Sequence, residues 1–289
     1  MKRIICFIGI CLGWILTSLG QGNGKGFNFF ASAGIYEGNR YHATYYNGNN
    51  EDINIRRVLG NSILKNQIDR SVSEKNGIIL DEKGIILDEL PASMHYNWSF
   101  SLNLGAAYRL NEEFSLIATV GQVKLTAHSQ AVFTYHKGVS GNQTADYLMY
   151  DLVGKENRNF LEIGMRYRQI SDNRFRWFWE VTAQLNSVKV ENADLVVEGN
   201  SYTMIDYYGG ATYDPTIDQT FIDPMLGGVG FGGCTTLGLS MQINDWAALE
   251  PFAQLQYIRI RLSEPYRFKP NYLIGVRINV SDMLFAGKR

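Results

Sequence analysis

The sequence predicts an all-β fold, an eight-stranded antiparallel up-and-down transmembrane β-barrel with long extracellular loops. Three observations carry that prediction. Apolar and polar residues alternate over unusually long runs. The connections between runs alternate between three or four residues and much longer segments. Tyr, Phe, Trp and Gly are plentiful while Pro is scarce, with only 6 in 289 residues, a β-rich composition.

The clearest run is Tyr96 to Leu110, in which Trp98, Phe100, Leu102, Leu104, Ala106 and Tyr108 alternate with Asn97, Ser99, Ser101, Asn103, Gly105 and Ala107. Strand side chains point to opposite faces with period two, so one face is apolar and the other polar. A tilted strand needs about 9–11 residues to cross a bilayer, and this run is long enough.

In chain order, Met1 to Gly20 reads as a secretory signal. Lys2 and Arg3 form a basic start, Ile4 to Leu16 is apolar, and Thr17 to Gly20 supplies small residues before a cut ahead of Gln21. The apolar run is short for a membrane anchor helix. Cys6 and Cys11 fall inside this segment, so neither a lipid-anchored mature N-terminus nor an intramolecular disulfide is expected. Cys234 is then the single remaining cysteine. The barrel is expected over 21–289, with outer loops at 37–95, 137–157, 198–228 and 263–271.

Strand one is Phe27 to Tyr36. The long loop after it contains a helical stretch around Asn54 to Asp69 and a tandem heptapeptide, Gly77-Ile-Ile-Leu-Asp-Glu-Lys83 followed by Gly84-Ile-Ile-Leu-Asp-Glu-Leu90. The repeat reads either as a small hairpin or lid or as a neutral duplication. Strand two is Tyr96 to Leu110, and strand three runs from Phe114 to about Tyr135, long enough to project beyond a membrane. Strand four is Asn159 to Ile170, strand five Arg174 to about Val190, strand six Val229 to Ile243, strand seven Ala248 to Leu262 and strand eight Tyr272 to about Val280. The turns 111–113, 171–173 and 244–246 all fall on the side of the termini, the periplasmic side of such barrels. Lipid offers no hydrogen-bond partners, so the sheet must close. A soluble up-and-down ligand-binding barrel is the runner-up, but it calls for even connections and an apolar interior.

The alternation assigns faces. Leu161, Ile163, Met165, Phe175, Trp177, Trp179, Val181, Ile274 and Val276 are expected against lipid. Glu162, Arg166, Arg168, Glu180, Glu250 and Arg277 are expected inside as a charge network, with Gln254 and Gln256 beside them. An eight-stranded barrel is just wide enough for side chains to fill it, and charges there must pair or meet water. A structural salt-bridge plug and a narrow ion path both fit. A bulge near Tyr257 to Arg261 is expected to turn Arg259 and Arg261 inward. Pro251 is a departure, because proline cannot donate to the ladder. Trp98 is expected at the outer rim, and Trp177, Trp179 and Trp246 at the periplasmic rim, as an aromatic girdle.

Gly275-Val276-Arg277-Ile278-Asn279-Val280 is similar to the assembly signal of outer-membrane barrels, with Gly275, Ile278 and Val280 at the matching positions. Leu273 stands where a polar residue is usual, and Phe285 is followed by Ala-Gly-Lys-Arg rather than ending the chain. On this strand and the whole-chain pattern the sequence resembles small outer-membrane β-barrel proteins of the Bacteroidetes kind, porin-like or OmpA-transmembrane-like. The resemblance implies export to the outer membrane and contact with its lipid and with the barrel assembly machinery. Since nothing follows the last strand, no separate peptidoglycan-binding domain is expected.

Other chemistry is weakly supported. Gly228-Val-Gly230-Phe-Gly232-Gly233 satisfies G-x-G-x-x-G, but a loop precedes it and a strand follows, the wrong context for a dinucleotide. His42, His95, His128 and His136 all map to the outer half. A metal site, or an acyl-transfer site with Ser93 or Ser129, is the functional reading, though no tight spacing links them. Asp206, Asp214, Asp218 and Asp223, with Tyr202, Tyr207, Tyr208 and Tyr213, fit no EF-hand spacing. They read better as a partner-contact loop. The formal net charge of −1 argues against nucleic acid. The expectation is a non-enzymatic protein with no cofactor and no bound metal, acting through its loops in surface binding or as an accessory subunit with other envelope proteins. The alternatives are a small channel and a lipid-modifying enzyme.

Overall fold

A computed structural model describes residues 26–136, 145–170, 174–207, 224–244, 246–262 and 265–281. The expected signal at 1–20, the turn 171–173 and Phe285 lie outside the described residues. In chain order the elements are β1 (Gly26–Glu37), α1 (Arg40–Ala43), α2 (Ile55–Gly60), α3 (Ser62–Asn76), β2 (Ile86–Glu89), β3 (His95–Tyr96), β4 (Ser99–Arg109), β5 (Phe114–Tyr135), β6 (Asp146–Arg168), β7 (Phe175–Val197), β8 (Asn200–Thr203), β9 (Gly227–Gln242), β10 (Ala247–Ile260) and β11 (Lys269–Ser281).

Eight of these close a ring. β1 pairs with β4, then β4 with β5, β5 with β6, β6 with β7, β7 with β9, β9 with β10, β10 with β11, and β11 returns to β1. Every pairing is antiparallel, so closure leaves no open edge within the lipid layer. Short connections after β4, β6 and β9 share one end of the barrel with the start of β1 and the end of β11. Around the waist, Leu102, Leu104, Leu116, Val120, Ile163, Leu185, Leu239, Ile274 and Ile278 are exposed on the outside. Glu162, Glu180, Gln184, Glu250, Gln254 and Arg277 are buried inside. This apolar exterior around a polar interior is that of an outer-membrane barrel.

The face rule inverts partway along three strands. On β7 the outward series Trp177, Trp179, Val181, Ala183, Leu185 gives way to Ser187, Lys189 and Glu191, while the inward series Glu180, Thr182, Gln184, Asn186 gives way to Val188 and Val190. On β6 the outward residues Met165, Ile163 and Leu161 are followed toward the outer end by Asn159, Asn157 and Lys155. On β5 Leu116, Ala118 and Val120 are followed by Gln122 and Lys124, with Val123, Leu125 and Ala127 buried inside. The switch marks the level at which lipid gives way to water. Above it the same strands form an extramembrane sheet, extended by β2 and β3 on the β5 side and by β8 on the β7 side.

The inner face of that sheet is covered by the first long loop. Asn54 and Asn61 cap α2 and α3, and the Asn61 side chain accepts hydrogen bonds from the backbone N–H groups of Ile63 (2.9 Å) and Leu64 (3.2 Å). Gly77, at φ +64°, closes α3 in the left-handed conformation that glycine adopts without strain. Ile53, Ile55, Val58, Ile68, Val72, Ile85 and Met94 form one buried cluster with Leu125, Phe133, Leu152, Leu195 and Val197. The result is a cap with a hydrophobic core of its own.

Several expectations need correction. Residues 146–157, expected in a loop, are the outer half of β6, and β7 reaches Val197. Their faces are inverted, so they do not read as lipid-facing strand. The register shift lies between Lys155 and Glu156 opposite β7, not at Tyr257 to Arg261. Alternation on β10 is unbroken, so Ile258 and Ile260 point inward and Arg259 outward. The helical stretch at 54–69 is two helices broken at Asn61. His95 and Tyr96 form their own short strand ahead of β4. In the heptapeptide both glycines, Gly77 and Gly84, take φ +64°. The first copy ends α3, and the second supplies buried Ile85 and edge strand β2. Pro251 pairs with Val276 on β11, and the recorded β9 pairing steps from Leu249 to Phe252.

Candidate functional site

The lumen is filled in layers. Nearest the short-turn end, Arg166 reaches Glu250 at 2.5 Å and Glu180 at 3.5 Å. Arg277 clasps Glu180 bidentately at 2.5 and 3.1 Å and lies 3.8 Å from Glu250. Arg168 approaches Glu250 at 3.6 Å, and Asn279 donates to the same carboxylate at 3.2 Å. The register explains the meeting, since Arg166 lies opposite Glu180 and Glu250 opposite Arg277 on neighbouring strands. The guanidinium of Arg166 sits 3.9 Å over the Phe178 ring, and that of Arg277 sits 4.3 Å over Phe30. These rings lie flat because glycines face them. A Cβ at Gly238 would stand 2.3 Å from Phe178, and one at Gly105 would stand 2.2 Å from Phe30.

Glu162 does not join these arginines. It forms a second layer of amides, accepting from Gln184 (3.1 Å) and Gln254 (3.0 Å), with the Cys234 thiol at 3.8 Å. Gln256 donates to Gln254 at 2.8 Å.

A third layer, missed in the sequence, seals the junction of barrel and cap. Arg158 pairs with Glu156, and both are fully buried. Tyr46 and Tyr96 donate to the Glu156 carboxylate at 2.6 and 3.0 Å, and Arg158 donates to the Tyr96 hydroxyl at 3.0 Å. The Tyr46 ring lies on β6 because residue 154 is glycine, where a Cβ would come within 2.1 Å of it. Burial, and next the Glu156 charge, push the Tyr46 phenol well above its usual value, so it stays a donor. Glu156 is hidden by the reading of 137–157 as loop, and Arg158 by a strand four that starts at Asn159. Their signal was the spacing of two in Glu-Asn-Arg, which puts both on one strand face.

The histidines do not assemble a catalytic set. His42 is buried in α1, and neither ring nitrogen has a hydrogen-bond partner among the described residues. Burial, then the positive charges of Arg158 and Lys269, lower its pKa to about 3. His95 and His128 are cross-strand neighbours with ring centres 6.0 Å apart, and His128 lies 3.4 Å from Asp151. The Ser129 hydroxyl donates to the Ser93 carbonyl at 3.2 Å rather than to a histidine. His136 lends its backbone carbonyl to Asp81. Among the described residues no group of three or more His, Cys, Asp or Glu is arranged to hold a metal. Of the Asp/Tyr loop, Tyr202 is buried, Arg57 approaches Asp206 at 3.7 Å and Tyr207 packs against the cap core. Asp214, Asp218, Asp223, Tyr208 and Tyr213 lie outside the described residues.

On the outside, Trp98 is exposed just ahead of β4, and Trp177, Trp179 and Trp246 are exposed toward the short-turn end. Gly275 faces the lumen against Phe252, while Ile278 faces outward. The glycines at 228, 230 and 232 meet backbone carbonyls of β10 and its continuation rather than forming a phosphate loop, with a Cβ at Gly228 only 2.0 Å from the Arg261 oxygen.

No family model matches the chain, and no curated protein matches it in sequence. Among solved structures it is similar to Neisserial surface protein A, with a TM-score of 0.40 and 10% identity over 89% of this chain and 99% of that one. It is similar also to the outer membrane protein OprG of Pseudomonas aeruginosa, with a TM-score of 0.35, 10% identity and 89% and 97% of the two chains covered. A third likeness is to Ail, the attachment invasion locus protein of Yersinia pestis, with a TM-score of 0.32, 9% identity and 89% and 99% covered.

Proposed function

We propose that this outer-membrane protein is a non-enzymatic surface binder, in which a sealed barrel anchors a rigid extracellular cap that contacts other envelope proteins or an external surface. The observation that carries the reading is the pairing of a filled lumen with a cap that has its own core. Three side-chain layers occupy the lumen, and the cap core lies over the outermost of them. A conduit needs an open, hydrated path, and these layers leave the strands to serve as support. The cap also presents apolar side chains to water well above the lipid level. Tyr147 and Met149 stand exposed side by side on one face of β6, and Ile86 is exposed on edge strand β2. Exposed apolar residues grouped on one face are a common mark of a contact surface.

The reading is tested in two steps. Purified protein in planar bilayers is expected to give no conductance, and steady single-channel currents would overturn the sealed anchor. Extraction from native membranes in mild detergent is then expected to recover a stoichiometric partner that is lost in a Tyr147→Glu/Met149→Glu variant. Recovery of a lone monomer from both would sink the accessory-subunit reading.

A further inference from the structure

The opposite end of the barrel carries a feature that the cap does not use. Arg109 at the end of β4, Arg168 at the end of β6, Arg174 just ahead of β7 and Arg176 at its start converge on a cavity of about 210 Å³ that opens at the short-turn end. Ser240 and Gln242 add hydroxyl and amide groups to its wall. Strand parity puts Arg109, Arg168 and Arg176 on the inward face, on the same side as Glu180 and Glu250. Among the described residues the charges do not balance. Six arginines lie in this lower half, namely these four with Arg166 and Arg277. Among the described residues the lumen there offers only Glu180 and Glu250, and both are engaged by Arg166 and Arg277. Arg168 takes a longer contact to Glu250 at 3.6 Å, whereas Arg109, Arg174 and Arg176 make no ion pair among the described residues. The Nε of Arg176 is buried and has no hydrogen-bond partner among the described residues. Glu112 and Glu113 stand on the adjacent turn but do not line the cavity.

Grouped guanidinium groups with unused donors, in a small polar recess walled by low-dielectric material, concentrate a positive potential at its mouth. Guanidinium forks match carboxylate and phosphate oxygens bidentately. We infer that this recess is a binding site for a single oxyanion, a phosphate or carboxylate group presented from the periplasm. The cavity volume suits one such group with a few attached atoms. The layers above it end the recess inside the barrel, so the anion is held rather than passed on.

The test uses the full chain refolded or extracted in detergent. Thermal stability and isothermal titration are followed with inorganic phosphate, with a short peptide ending in a D-alanine carboxylate, and with chloride at matched ionic strength. The expected result is a saturable response to phosphate, to the peptide or to both, absent with chloride. Competition between the two, and the ratio of their affinities, distinguishes the sources of the oxyanion. Arg109→Gln/Arg176→Gln is expected to weaken binding about tenfold or more, since charge-assisted bidentate contacts are lost. If that double variant does not fold, Arg174→Gln, at an exposed position, serves instead and is expected to weaken binding several-fold. Arg70→Gln, on the cap helix α3, is expected to bind as wild type. The inference is overturned if phosphate and the peptide act no differently from chloride, or if the folded arginine variants bind as wild type does.

Discussion

The lumen and the cap are lined by the inward faces of the same strands, β5, β6 and β7, yet they are built in opposite ways. Below the level of Asn186 the inward faces carry the charged and amide side chains of the lumen, and the stabilising contacts are ion pairs, hydrogen bonds and cation–π stacks on rings such as Phe178. Above it, past the buried Glu156–Arg158 pair at the junction, the inward residues are mostly apolar and the contacts are dispersion and burial. The difference follows from the solvent on the other face. In lipid the outside takes the apolar side chains and the inside must accommodate polar ones. In water the assignment reverses, and helices α2 and α3 cover the inner face as any soluble core is covered. One continuous ladder therefore obeys two hydrophobic rules.

Breaking each half should produce different losses. The largest is expected from Glu250→Ala, which removes the one carboxylate that Arg166, Arg168 and Arg277 all approach and leaves Arg168 with no ion pair among the described residues. Removing one partner of a buried pair costs about 3–5 kcal/mol, and denaturant unfolding of the barrel in detergent should record that loss with little change in cap proteolysis beforehand. Ile68→Ala acts on the other half. A buried Ile→Ala change costs about 2–5 kcal/mol. Here it should appear as faster hydrogen exchange in α3 and β2 while the barrel strands stay protected.

Acid should also separate the halves. His42 in the cap has its folded pKa lowered to about 3. The unfolded chain therefore binds the proton more readily, and the stability from the neutral ring is complete above the unfolded value of about 6.5. It falls as pH drops toward 3. Linkage at about 1.4 kcal/mol per unit puts the loss between pH 7 and 4.5 on the order of 2 kcal/mol. Protease resistance of the cap should fall over that range, and His42→Gln should flatten the dependence. The smallest effect is expected from Asn61→Ala, which removes the α3 cap for about 1 kcal/mol and should show as local fraying in hydrogen exchange.

The barrel was legible because lipid imposes a strict alternation on the strands that cross it, and because the short connections all fall at the end that holds the start of β1 and the end of β11. Six inward charges were placed by parity alone, but their partners were not. Partnering depends on register, which brings Glu250 to Arg277 across one strand pair and Arg166 to Glu180 across another, and leaves Glu162 with amides. The outer half of β6 was illegible for a related reason. A search for apolar residues on the lipid face finds Lys155 and Asn157 there and stops, although Tyr150 and Leu152 continue the strand with their faces exchanged. The Arg158–Glu156 layer went unseen with it. The register shift between Lys155 and Glu156 was also beyond a sequence reading, because it lets Ala193, Leu195 and Val197 point inward after Val188 and Val190 with the parity reversed.

The unbroken ladder between β5 and β6 runs from Phe114–Tyr167 to Tyr135–Asp146 through both regions. From Gln122 to Tyr135 it extends the sheet past the lipid level by roughly 40 Å along the strand at about 3.4 Å per residue. A domain joined by a linker samples many heights and angles above a bilayer. β5 and β6 pass from barrel to cap with no break in their pairing. Under the proposed binding role, whatever the cap contacts is held at one distance and one bearing from the membrane, and a pull on the cap is taken up in shear by the hydrogen bonds of the β5–β6 ladder.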